Sequence, residues 1–133
     1  MSILISGSLA YDYIMDFPDS FKNHILPDQL HILNVCFVVE QLKKNLGGCA
    51  TNIAYTMKSL EENPIVLGPV GSDGGDLLDF FKEKKIETKY ITKLKDELTS
   101  SAHITTDKDD NQIIAYHNGA GNKATEMNVI DIK

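Results

Sequence analysis

An α/β fold is predicted for this chain from three observations: a short apolar run that stops at Gly7-Ser8, two amphipathic stretches that each follow a glycine pair, and a strand-like run between them. Ile3-Leu4-Ile5 reads as a buried first strand entering a tight turn at Gly7. From Tyr11 to Leu46 the pattern changes. Phe17-Pro18-Asp19 and Leu26-Pro27-Asp28 are turn signals, while Ile32-Leu33 and Val35 to Val39 are strand-like, so this stretch is expected to leave the core as a small β-rich flap.

Gly47-Gly48 opens a helix in which Ile53, Ala54, Met57 and Leu60 recur at helical spacing, with Asn63-Pro64 expected to end it through a left-handed cap and a missing donor. Ile65 to Val70 reads as a strand. Beyond Gly71-Ser72-Asp73-Gly74-Gly75, the residues Leu77, Leu78 and Phe81 form a second helical stripe, and Lys82, Lys84 and Lys85 complement the dipole at its carboxyl end. Residues 101–106 and 112–116 flank a polar turn and are expected to form a hairpin. After Asn118-Gly119-Ala120-Gly121-Asn122, Val129 to Lys133 reads as the start of another strand. The expected divisions are core strand one at 1–12, a β-lid at 13–46, α/β core at 47–98, a lid or edge hairpin at 99–118, and the start of a further core segment, cut short, at 119–133.

Composition narrows the partners. The 133 residues carry 13 Lys and Arg against 19 Asp and Glu, a net charge of -6, which disfavours a nucleic-acid backbone as ligand. No apolar run approaches the roughly 20 residues of a membrane span, and the first residues have no basic signal-peptide start. The 2 cysteines, Cys36 and Cys49, lack metal or redox spacing, which suits a reduced cytoplasmic setting and leaves a disulfide between them open.

Candidate chemistry concentrates at Gly47-Gly48-Cys49-Ala50-Thr51-Asn52. Glycines at a helix start let a ligand approach the backbone, and Asn52, one turn in, can donate to and accept from a polyol. Taken alone, the glycine pair reads first as a turn feeding an amphipathic helix. Other constellations are set aside. Asp107, Asp109 and Asn111 match three calcium-loop positions, but Gln112 stands where Gly is required and Asn118 where Glu is. His24, His31, His103 and His117 have no metal-ligand spacing, so no metal site is expected, although His117 lies beside the cleft loop. Gly68, Gly71 and Gly74 are not spaced as a dinucleotide fingerprint.

Together, Gly7-Ser8 with Asp12, the Gly47-Gly48 to Asn52 element, and Val70-Gly71-Ser72-Asp73 resemble the first signature region of the PfkB, or ribokinase-like, kinases. The resemblance covers essentially the whole chain. It implies a three-layer α/β core with a β-sheet lid, here the amino-terminal part, and a substrate site made by Asp12, Asn52, Gly47 and Gly48, with Ser8 beside them. It implies ATP and Mg2+ for the intact protein, whose substrate hydroxymethyl group would attack the γ-phosphate. Ribose kinases of the family usually place Asn where Ala10 stands and Lys-Gly where Cys49-Ala50 stand, so a ribokinase proper is disfavoured. The flap with Leu26-Pro27-Asp28-Gln29 looks more like adenosine kinases and their bacterial relatives, where lid aromatics stack on the purine. Phe37 and Tyr116 are candidates for that work, although packing of the lid sheet is the first reading of each.

The family's Asp-Thr-x-Gly-Ala-Gly-Asp segment, the ATP site and the Mg2+-organising acids have no match, since Asn118 to Asn122 contains Gly-Ala-Gly but ends in Asn. The ATP-binding part is therefore expected to be absent, and this chain alone to bind neither ATP nor Mg2+ and to show no turnover. The expected ligand is a small sugar or nucleoside. Expected partners are a second copy through the lid, or the missing carboxy-terminal part. A non-catalytic binding module from a split or decayed kinase is the alternative.

Overall fold

In the computed structural model, which describes residues 2–132, β1 (Ser2–Ser6) leads through Gly7, Ser8 and Leu9 straight into a second strand, β2 (Ala10–Asp16). Two short 3-10 turns, Phe21–Asn23 and Pro27–Ile32, precede β3 (Gln41–Gly47). There follow α1 (Cys49–Ser59), β4 (Asn63–Val70), α2 (Gly75–Glu83), β5 (Ile91–Lys93), β6 (Ser100–Thr106) and β7 (Gln112–His117), then 3-10 turns at Gly119–Glu126 and Val129–Asp131.

The strands divide into two sheets. β1, β4 and β5 form a parallel sheet of 3 strands in the order β1-β4-β5. Parallel neighbours need a crossover, and α1 and α2 belong to those crossovers. Both helices pack on one face: Ala50 and Ala54 of α1 join Leu77 and Phe81 of α2, with Ile5, Val66 and Val70, in one buried cluster. The rings of Tyr55 and Phe80 meet at 5.6 Å where the helices touch. Leu67 and Pro69 point to the other face, towards the 3-10 segment around Ala124 and Met127. The second sheet has 4 strands in the order β3-β2-β6-β7, with β2 and β6 parallel and both flanking pairs antiparallel. It is the lid.

A tie between the two sheets runs through Tyr11. The phenol of Tyr11, from the lid, is fully buried in the core cluster and donates to the Asp73 carbonyl at 2.9 Å. Burial pushes that phenol up in pKa, although the Lys44 ammonium lies 3.9 Å from the ring centre. Lys44 also pairs with Asp76 at 2.6 Å. The Asp73 carboxylate accepts from the Thr99 N–H and hydroxyl, both at 2.7 Å, just before β6 begins.

Several local expectations are corrected. No strand forms at Ile32-Leu33 or Val35 to Val39: Ile32 closes a 3-10 turn, and Leu33 and Val38 are exposed. The missed strands are β2 and β3. β2 is a central strand with both edges occupied by β3 and β6, and the 33–39 stretch runs unpaired outside the sheet. β3 is polar because it is an edge strand, where charge is tolerated and discourages further pairing. Helix α1 ends at Leu60 with Glu61 at φ 64°, while Asn63 and Pro64 already belong to β4; a proline is tolerated at that strand's start. Val129–Asp131 is a 3-10 turn where a strand was expected. Both cysteines are free and exposed.

The 107–111 hairpin turn is organised by Asp107, which is only 4% exposed. Burial pushes its carboxyl up in pKa. The N–H groups of Phe21, Asn111 and Asp109 and the Asn111 side chain outweigh that and hold it at about 2, below the ordinary 3.8. Because the folded value is depressed, the stability it supplies is present above about pH 4 and is lost as pH falls towards 2. Asp107→Asn is expected to melt earlier than the parent at pH 7, with the difference shrinking on acidification; thermal melts at pH 7, 4 and 2.5 measure this. A difference constant across that range would remove Asp107 from the account.

Candidate functional site

The site begins where the first loop meets α1. Ser8 caps the helix twice: its hydroxyl oxygen accepts the Cys49 N–H at 2.9 Å and its carbonyl accepts the Ala50 N–H at 3.1 Å. Gly48 makes this approach feasible. Its φ is 90°, and a Cβ there would lie 2.8 Å from the Ser8 carbonyl carbon and 2.9 Å from the Ala10 nitrogen. Ser8, expected beside a ligand, thus has its hydroxyl oxygen engaged by the helix, while its residue remains exposed.

Asp12 is not in a turn after strand one but within β2. Register partners share a sheet face, so Asn45, Asp12, Ala102 and Tyr116 form one row across all the lid strands. Gly47, Ala10 and Ser100 form the next row on the same face, nearer the core. Asp12 leans towards that second row: a Cβ on Gly47 would overlap its carboxylate, with Cγ at 2.6 Å. Among the described residues, the side chains of Asp12 and Asn45 have no hydrogen-bond or ion-pair partner. The Asn52 N–H bonds the Gly48 carbonyl at 3.1 Å, placing this exposed residue on the first turn of α1.

The aromatic candidates separate. Tyr116 is 55% exposed on the Asp12 face. His117, its neighbour, pairs with Ser101 and so faces the other way, with Tyr11, Tyr13 and His103. Phe37 packs against Phe17 and Phe21, both at 4.9 Å, beside His24 and beyond the Asp16 end of β2. It anchors the excursion between β2 and β3. The small residues Ala102 and Ser100 went unnoticed in the sequence because their place beside Asp12 depends on β2 pairing with β6. The alternation of Tyr11 and Tyr13 around Asp12 was the available signal.

Below the second row lies a pocket of about 240 Å³, lined by Gly7, Ser8, Pro69, Ser100, Asn118 and Gly121. It opens at the carboxyl ends of β1 and β4, the usual crevice of a parallel α/β sheet. The Ser100 hydroxyl donates to the Asn118 carbonyl at 2.6 Å and fixes one wall. The segment that follows is a 3-10 turn, Gly119–Glu126. The N–H groups of Ala120 and Gly121 are bonded to the Leu98 and Asn118 carbonyls, and Ala120 is fully buried, so that turn offers no open anion cradle. Among the described residues, no group of three or more His, Cys, Asp or Glu could hold a metal ion. No helix among them is long and apolar enough to cross a membrane.

A parallel α/β core joined to a lid sheet, with a carboxylate-bearing face above the strand ends, is the plan of the ribokinase-like kinases. The chain belongs to that group: the model of the pfkB family carbohydrate kinases matches residues 19–132. It is similar to the nucleoside kinase of Methanocaldococcus jannaschii, 31% identical over 124 residues, which cover 92% of this chain and 38% of that protein. The nucleoside kinase of Methanothermobacter thermautotrophicus is 26% identical over 123 residues, 89% of this chain and 36% of the relative. Among solved structures, Burkholderia thailandensis nucleoside kinase in complex with inosine superposes with a TM-score of 0.83 and 35% identity, over 100% of this chain and 41% of that one. The chain therefore spans about two fifths of the length of these relatives.

Proposed function

We propose that this chain is the substrate-holding part of an ATP-dependent nucleoside kinase, which in its whole form transfers the γ-phosphate to the ligand's hydroxymethyl group. The observation that carries the reading is the row across the lid. Asp12 offers an unpartnered carboxylate, small Ala102 leaves space, and Tyr116 offers an exposed ring on the same face. Neighbouring strands are about 4.8 Å apart, so the backbones that carry ring and carboxylate are separated by roughly 10 Å, comparable to the reach of a nucleoside from ribose hydroxyls to base. A free pentose would leave the ring without a partner. The inosine held by the similar Burkholderia thailandensis kinase supports the same class.

In this reading Asp12 accepts the hydrogens of a vicinal diol, and Asn52 reads a hydroxyl from the start of α1. Gly47 and Gly48 keep that corner open, and Tyr116 stacks on the base. Ser8 holds the helix end in place, while Phe37 and His117 stay outside the contact set. Orientation is the contribution of these residues to the reaction. Calorimetric titration of the purified chain with inosine, adenosine and ribose is expected to show nucleoside binding at least about tenfold tighter than ribose, in line with a stacking contact of about 1–3 kcal/mol per base. Ribose binding as tightly as either nucleoside, or no binding of any of them, would overturn the proposal.

A further inference from the structure

We infer that Asn45 is a second ligand-gripping residue beside Asp12, one that makes the site selective for a ligand with both ribose hydroxyls. The inference rests on the nucleoside reading above and deepens it. Asn45 stands directly opposite Asp12 in the β2 and β3 pairing, and directly opposed antiparallel residues hold their Cβ atoms about 4.5–5.5 Å apart. It is exposed, on an edge strand, with no partner among the described residues. Two rows on, towards the tip, the same face carries Gln41 and Asp16, and the row between holds Lys43 and Ile14. Asn45 is thus the uncharged polar group adjacent to the carboxylate.

The need for such a group follows from hydrogen-bond polarity. An ionised carboxylate only accepts, so a hydroxyl that gives its hydrogen to Asp12 keeps oxygen lone pairs that Asp12 cannot serve. A carboxamide in the neighbouring strand supplies the missing N–H. A lysine at 45 would instead close an ion pair onto Asp12, and an aspartate would repel it. With an amide there, a diol is bound from both sides: the carboxylate takes both hydrogens and the amide donates to one oxygen. Removal of that hydroxyl leaves both groups short of a partner, the condition under which polar sites discriminate most strongly.

The test uses the full chain, with adenosine and 2′-deoxyadenosine as probes. Asn45→Ala is expected to weaken adenosine binding about three- to tenfold, the range of one net hydrogen bond, and to leave 2′-deoxyadenosine binding unchanged. Asn45→Asp, which keeps the shape and loses the donor, is expected to lose at least as much. Melting temperatures within a degree or two of the parent would establish that the lid is intact. If Asn45→Ala binds adenosine like the parent while Asp12→Ala does not, the role of Asn45 is refuted and the nucleoside reading survives. If Asn45→Ala weakens both nucleosides equally, the residue acts on the lid and not on the hydroxyl, which also refutes it. If the parent chain binds neither, the nucleoside reading itself fails.

Discussion

Asp12→Ala is expected to weaken nucleoside binding about 100-fold or more while leaving the melting temperature nearly unchanged. Two charge-assisted hydrogen bonds at about 1.5–3 kcal/mol each set that scale. The fold is spared because the Asp12 side chain bonds to no other described residue, and its strand keeps both neighbours through the backbone. Asp12→Asn should fall between, since an amide presents one acceptor and one donor to hydroxyls that each offer a hydrogen. Titration calorimetry reads the affinity and a thermal melt reads the fold. An alanine variant that binds as tightly as the parent would place the ligand elsewhere.

Gly48→Ala should cost about 3 kcal/mol or more of stability. Two penalties coincide. The φ of 90° is strained for any residue with a Cβ, at roughly 1–3 kcal/mol, and the added methyl has no room between the Ser8 carbonyl and the Ala10 nitrogen. Relief would require the first loop to retreat, breaking the hydrogen bonds from Cys49 and Ala50 to Ser8. Gly75→Ala is the control. It opens α2, nothing lies within 4 Å of its Cβ position, and alanine is the better helix former by up to about 1 kcal/mol. Urea unfolding midpoints should therefore move in opposite directions for the two variants. Equal losses would show that the crowding at Gly48 is not what holds the junction.

What the chain declares locally was legible: β1, β4 and α2 follow from apolar runs at the right period beside glycine, α1 from its glycine start although Ile53 and Leu60 of its expected stripe are exposed, and the 107–111 hairpin from its polar turn. What was not legible depends on distant pairing. β2 carries Asp12, Asp16 and two tyrosines among its apolar residues with no regular alternation, and only its place between β3 and β6 makes it a central strand. The expected residues Asp12, Gly47, Gly48 and Asn52 lie along one stretch of structure. The alignment of Asn45 and Tyr116 with Asp12 could not be read, because register joins Ala10 to Ser100 and Ser101 to His117. Register also separates Tyr116 from His117, adjacent residues that sequence alone treats as companions. The capping by Ser8 was hidden for a related reason, being a contact between one loop and a helix start far along the chain.

Tyr11 and Asp12 are consecutive, and strand alternation turns one into the protein's interior and the other, half-buried, to the opposite face. Robustness and recognition are consequently not independent traits at this spot. Any substitution at Leu77 or Phe81 that lets the Tyr11 ring drift carries the next carboxylate with it, so a variant selected for heat tolerance through those positions would arrive with altered ligand preference as well.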